Sequence, residues 1–168
     1  MMACMTDTPT GRLALRVHMM PKDTNAFGTI FGGVILSLID QAGFDEARQH
    51  GIHRWVTVAF DAVKFTKPVY TGDVVTLYTN PIRMGTTSIQ IEVEVWADRY
   101  NAAETTLVTR GQLTMVSVCG EGNPLPWSSD ATLKSGDDVA VAMKIYQRVF
   151  AFRTVDDLSA IKGKCVVN

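Results

Sequence analysis

The stretch Leu13 to Met20, LALRVHMM, is mostly apolar and predicts a strand, ended at Pro21 by a missing N–H and a fixed φ. The segment PKDTNAFGTIFGG that follows is dense in turn formers. Asp23, Asn25, Gly28, Gly32 and Gly33 are types that cap backbone groups or accept unusual φ. From Val34 to His50 the spacing turns helical: Ile35, Leu38, Ile39, Ala42 and Phe44 are apolar, Asp45, Glu46, Arg48 and Gln49 make a polar end, and Gly51 terminates the run.

Beyond this helix the period falls from about 3.6 to 2. Trp55 to Phe65, Val74 to Met84, Ser88 to Asp98 and Thr105 to Val118 are predicted strands, with turns at 68–73 and 85–87 and with Pro81 weakening the second of them. In Ser88 to Asp98, Ile89, Ile91, Val93, Val95 and Ala97 share one face. Gln90, Glu92, Glu94, Trp96 and Asp98 share the other, which predicts one wet sheet face. A strand, a long helix and four strands joined as antiparallel neighbours can bury the helix only if a curved antiparallel sheet wraps it, an α+β fold. Residues 1–11 then form a tail and 12–118 the domain. Residues 119–168 comprise a linker or surface loop rich in Gly, Pro, Ser and Asp (Gly120 to Asp138) and a short docked helix (Val139 to Phe152).

Composition narrows the function more than the fold. The 168 residues are 46% hydrophobic and 20% charged, as in a single soluble domain. Sixteen Lys and Arg against seventeen Asp and Glu leave no basic excess for a phosphate backbone, so no nucleic-acid partner is expected. The longest uncharged, largely apolar run, Val34 to Ile39, is far shorter than the roughly 20 residues of a spanning helix. MMACMTDTPTGR lacks a secretory hydrophobic segment, so a cytoplasmic location without membrane association is expected. Cys4, Cys119 and Cys165 are odd in number and form no CxxC, which predicts reduced thiols and no structural zinc. HExxH, GxxxxGK[ST], GxGxxG after a strand and GxSxG are all absent, which removes zincin, P-loop, dinucleotide and serine-hydrolase chemistry and leaves no metal or cofactor expected.

Asp40 is out of place, set between VILSLI and QAGF in a helix segment apolar nearly all round. Burying an ionised group without partners costs several kcal/mol, so this carboxylate is paired, neutralised or retained for chemistry. One reading makes it a general base or nucleophile in a partly desolvated cleft; the other places it on a narrow polar stripe with Gln41, or beside a Lys or Arg. Gly32 and Gly33 open the helix, where unsatisfied N–H groups and a partial positive charge suit a carbonyl or oxyanion; alternatively they only make a tight turn. Asn25 either caps the loop or offers its amide to a carbonyl or water.

Met20 to Gly43 (MPKDTNAFGTIFGGVILSLIDQAG), Val56 to Val75 (VTVAFDAVKFTKPVYTGDVV) and Met84 to Trp96 (MGTTSIQIEVEVW) together resemble the hotdog-fold acyl-CoA thioesterases, in particular the bacterial short- and medium-chain acyl-CoA hydrolases. The resemblance spans about Arg12 to Val118 and implies the same helix wrapped by sheet. It implies an acyl-CoA substrate, with Asp40 as the acid that activates water or attacks the thioester, Asn25 as a catalytic partner, and Gly33 as the donor of the N–H that polarises the carbonyl. Gly32, Phe31, Arg83, Thr87, Ser88 and Lys67 are the substrate-binding candidates. Phe65, Pro68, Gly72 and Asp73 match a structural strand-and-turn signature, F-x-x-P-x-x-x-G-D. Two positions depart from the pattern: Thr29 stands where relatives often carry Asn or Asp, and Thr86 where many carry an Arg.

Asp40 lies seven residues beyond Gly33, roughly 10 Å along one helix at about 1.5 Å per residue. Both cannot serve one carbonyl, which predicts a site shared by Gly33 of one subunit and Asp40 of another in a homodimer at minimum. Relatives imply further assembly into a hexamer, a trimer of dimers. The competing readings are a non-catalytic acyl-CoA sensor, for which the residues before Arg12 are too few and too uncharged to bind DNA, and another hotdog enzyme such as an acyl-thioester hydratase, which needs a His beside its acid.

Overall fold

The structure, a computed structural model, describes residues 8–51, 53–61, 63–99 and 105–127. The helix expected over Val139 to Phe152 lies outside the described residues. Five strands, β1 (Arg12–His18), β2 (Arg54–Phe60), β3 (Val74–Met84), β4 (Ser88–Asp98) and β5 (Thr105–Val118), form one antiparallel sheet in the order β1-β3-β4-β5-β2. One long helix, α1 (Gly32–Gln49), touches every strand of it. Ile35, Leu38, Ile39 and Ala42 of α1 pack with Val75, Leu77, Ile91, Val93, Val95 and Leu113 in a single core. Each large side chain covered this way contributes about 1.5–3 kcal/mol. Gly43 lets α1 lie directly on β5, because a Cβ there would overlap Leu113 Cδ1.

The expected bounds of β3, β4 and β5 match, and α1 starts two residues earlier than expected because Gly32 and Gly33 already take helical positions. β2 differs more. It ends at Phe60 instead of Phe65, and it pairs with β5 at the far edge of the sheet instead of lying next to β3. Residues 61–73 are therefore no hairpin turn but a connection from the edge strand β2 across the sheet to β3, held on the way by Thr66 N–H to Val108 O (3.0 Å) and Ile30 N–H to Val69 O (2.8 Å). Extended backbone of this kind carries strand-like alternation, which is why local pattern extends the strand too far. The F-x-x-P-x-x-x-G-D signature closes the connection: buried Asp73 accepts Tyr70 N–H at 2.9 Å through Oδ2, and its carbonyl accepts Met19 N–H at 2.9 Å.

Three further expectations are corrected. The outer face of β4 is not uniformly wet, since Glu94 and Trp96 are 3% and 2% exposed. Glu94 accepts from Thr10 N–H and Oγ1–H, Trp96 Nε1–H and Arg110 Nε–H at 3.0–3.1 Å, the strap before β1 crossing above it. Glu46, read as part of a polar helix end, is 4% exposed and faces Arg12, Thr79 and His50. Cys119 is disulfide-bonded, so the reduced state does not hold there. Just beyond it, Trp127 docks on the β3–β4 turn, donating Nε1–H to Gly85 O at 2.7 Å.

Candidate active site

Asp40 sits half-buried on the wall of a cavity of about 630 Å³ between α1 and β2. The rest of the wall is largely apolar, with Leu36, Phe44, Val56, Val58, Phe60 and Met115. The helix is less enclosed than its sequence implies. Leu36 and Phe44 are 37% and 36% exposed, and they flank Asp40 on the face that carries exposed Ser37 and Gln41. Among the described residues the carboxylate has no ion-pair partner but is hydrogen-bonded: Thr57 Oγ1–H donates to Oδ1 at 2.5 Å. Gln41, the expected neighbour on a polar stripe, turns instead to Ser37 O and Oγ at 3.3 and 3.2 Å.

At the other end of α1 the chain enters the helix through Phe31, whose N–H donates to Asp23 O at 2.8 Å. The first N–H groups of a helix have no partner within it, so those of Gly32 and Gly33 lie at a positively polarised terminus. A Cβ at Gly33 would meet the ring of Phe31, which is exposed and would have to turn aside to admit it. Gly32 borders a second cavity, about 350 Å³, with Thr29, Ile30, Phe65, Lys67 and Val69. Asn25 shapes the loop before the helix. Its Oδ1 accepts Phe27 N–H at 2.8 Å and Thr29 N–H at 3.3 Å, while its Nδ2–H donates to Thr29 Oγ1 at 2.8 Å. Thr29, the departure from the family pattern, is thus the partner of the asparagine amide.

The candidates do not converge within one chain. Gly32 and Lys67 lie beside Phe65, level with Val108 of β5, whereas Ser88 pairs with Val116 of the same strand. Eight residues of β-strand separate those levels by roughly 25 Å. Arg83 is exposed near the end of β3, and the 87–88 backbone is occupied with the sheet, Thr87 O accepting Ser117 N–H at 2.8 Å. The histidines are elsewhere: His18 is in β1, His50 Nε2 lies 3.1 Å from Glu46, and His53 Nε2 lies 2.7 Å from Trp127 O. None of them lines the Asp40 cavity. Among the described residues no group of three His, Cys, Asp or Glu is placed to hold a metal, and no helix is long and apolar enough to cross a membrane.

Sequence reasoning missed Thr57. Its signal was a single hydroxyl two residues after Trp55 on the inward row of β2, which only the pairing with α1 turns into a partner for Asp40. The register of β2 on β5 shifts between Thr57 and Ala59, a bulge of the type that re-aims side chains beside functional sites.

One long helix held by a curled, fully antiparallel sheet is the hotdog architecture, and solved structures of this class superpose on the chain. A hexameric hotdog-fold thioesterase of Campylobacter jejuni is 42% identical with a TM-score of 0.67, over 70% of this chain and 91% of that one. A hexameric broad-specificity acyl-coenzyme A thioesterase is 33% identical with a TM-score of 0.69, over 87% of this chain and 93% of that one. The thioesterase superfamily model matches residues 27–101. The acyl-CoA thioester hydrolase YciA of Salmonella typhimurium is 40% identical over 134 residues, 74% of this chain and 96% of the relative. The chain belongs to the hotdog-fold acyl-CoA thioesterases, and so is an enzyme of the thioester hydrolase class.

Proposed function

We propose that the chain hydrolyses acyl-CoA to a free fatty acid and CoA, with Asp40 as the reacting acid. The observation that carries this reading is the half-buried Asp40 carboxylate on the wall of an open, largely apolar cavity of about 630 Å³, which Asp45 of the same helix also lines. Asp40 takes a proton from water while the water oxygen attacks the thioester carbonyl carbon. Negative charge then collects on the carbonyl oxygen, where the Gly33 N–H stabilises it. Collapse breaks the C–S bond, and the CoA thiolate takes the proton from Asp40. In the covalent variant the carboxylate attacks first and water opens the resulting anhydride. Neither route draws on a metal or cofactor. Asn25 positions the loop that carries Phe31 and Gly32 toward the thioester.

The same reading places each site between two copies. Asp40 and Gly32 open onto different cavities of one chain, and Gly33 lies roughly 10 Å from Asp40 along the helix. Among the described residues β2 is an edge strand with one row of backbone groups left without a strand partner, a template for antiparallel addition of a second copy. A two-fold dimer built there lets the helix start of one protomer face the acid of its partner. The names of the solved relatives favour further assembly to a hexamer. Lys67 and Phe31 then flank the thioester, and Arg83, Thr87 and Ser88 meet the CoA portion.

A thiol-release assay over acyl-CoAs of graded length tests this reading. Wild type is expected to release thiol, and Asp40→Asn to lose about 10²–10⁴ in kcat while keeping its assembly state. Bound acyl-CoA without thiol release would point to a sensor, and a consumed enoyl thioester without thiol to a hydratase.

A further inference from the structure

Trp127 lies beyond the last strand yet is tied back to the domain on both sides. Its Nε1–H donates to Gly85 O at 2.7 Å and its backbone N–H to Thr86 O at 3.3 Å, both in the β3–β4 turn. Its own carbonyl oxygen lies 2.7 Å from His53 Nε2, which carries the proton of this bond because a carbonyl only accepts. His50, just past α1, meets the Trp127 ring edge-on with centroids 6.4 Å apart. Gly51 leaves room for this seat, since a Cβ there would come within 3.0 Å of Trp127 O.

These bonds decide what the turn presents. The carbonyls of Gly85 and Thr86 accept from Trp127, Thr87 O accepts Ser117 N–H at 2.8 Å, and Ser88 O accepts Gly85 N–H at 2.8 Å. Each carbonyl from Gly85 to Ser88 is thus engaged. Among the described residues, the N–H groups of Thr86 and Thr87 and the hydroxyls of Thr86, Thr87 and Ser88 have no such partner. A turn with its acceptors engaged and its donors open suits an anion, and Arg83, exposed two residues before it, adds positive charge. Ser88 is level with Val116 of β5, and Val116 with Val56 of β2, which lines the Asp40 cavity. Two strand spacings therefore put the turn roughly 10 Å across the sheet from that wall. We infer that Trp127 is a positioning residue for the CoA part of the substrate: it engages the carbonyls of the turn, which then offers donors alone to a phosphate group. This inference rests on the reading of the chain as an acyl-CoA hydrolase with the CoA portion at residues 87–88.

The test compares full-length wild type and Trp127→Phe by thiol release from two substrates with the same acyl chain, an acyl-CoA and the acyl-pantetheine that lacks every phosphate. Trp127→Phe keeps an aromatic ring and removes the indole donor. It is expected to raise KM for the acyl-CoA about 3- to 10-fold, with kcat within a factor of about two, and to leave KM for the acyl-pantetheine unchanged. An unchanged KM for the acyl-CoA, or an equal loss on both substrates, would overturn the role of Trp127, the second because a general structural defect does not distinguish them. Equal KM values for the two substrates in wild type would overturn it as well, since the turn would then read no phosphate. No thiol release by wild type from any acyl-CoA would instead remove the reading beneath it. If Trp127→Phe fails to assemble, amide exchange of wild type decides: CoA, and not pantetheine, is expected to slow exchange at Thr86, Thr87 and Trp127, and unaltered exchange with CoA would overturn the proposal.

Discussion

Glu46 offers the clearest quantitative test of how α1 is held. Its carboxylate side chain is 5% exposed and accepts from Thr79 Oγ1–H and Arg12 Nη2–H, each at 2.6 Å, with His50 Nε2 3.1 Å away. Burial pushes the carboxyl up, but the hydrogen bonds from Thr79, Arg12 and His50 outweigh it and leave Glu46 below its usual value of 4.5. Glu46→Gln keeps the shape and removes the charge. Arg12 is 47% exposed and regains water when its partner is lost, so the ion pair itself counts for at most about 1 kcal/mol. The buried, charge-assisted bond from Thr79 adds about 1–2 kcal/mol. We expect a total loss of about 2 kcal/mol at pH 7, or about 4–8 °C in Tm for a chain of this size.

The pH dependence follows from the direction of the shift. A carboxylate held below its unfolded value stabilises the fold above about pH 4.5 and loses that contribution as pH falls through its folded value. Denaturant titrations of wild type and Glu46→Gln at fixed protein concentration should therefore differ at pH 7 and converge toward pH 3. Equal stability at pH 7, or a gap that widens on acidification, would refute the argument that this buried carboxylate binds the helix to β1 and β3.

Gly43→Ala gains about 1 kcal/mol of helix propensity but drives a Cβ into the fully buried Leu113. At an overpacking cost of about 1–3 kcal/mol it should be destabilised by about 1 kcal/mol, measured by the denaturation midpoint. Phe60→Trp enlarges a wall of the Asp40 cavity and should lower kcat/KM for long acyl chains more than for short ones, by about tenfold. Glu94 is also held low: burial raises it, but bonds from Thr10, Trp96 and Arg110 prevail. Thr10→Ala removes one of these and should loosen the strap before β1, read as faster amide exchange at Thr10 and Gly11 with unchanged kcat.

The sequence is most legible where the chemistry is local. Ser88 to Asp98 alternates strictly and is bounded by a glycine turn, so β4 is readable to the residue, as are β3 and β5. What is not local is not visible. Nothing in RWVTVAF says that β2 pairs with a strand fifty residues on, and so the connection over 61–73 reads as a strand end and a hairpin. Glu46 looks like a solvated helix end until Arg12 and Thr79, far off in sequence, close over it. Asp40 stands out from the residues alone because a carboxylate among apolar neighbours is costly, whereas Thr57 does not, because a threonine in a strand is ordinary. Asn25 shows the limit of residue type: both readings of it use the same amide, and the structure commits that amide first to Thr29.

The most direct test of a site assembled from two copies is subunit complementation. Asp40→Asn removes the acid, and Gly33→Pro removes the N–H at a helix start, where proline is tolerated and the exposed Phe31 ring can turn aside. Each variant alone should be nearly inactive. Co-assembled in equal amounts, mixed dimers regain one site built from the intact Gly33 of the first variant and the intact Asp40 of the second, so about a quarter of wild-type thiol release should return under random pairing. No recovery from co-assembled chains whose mixed dimers are verified by mass spectrometry would mean that both groups act within one subunit, and would contradict the account.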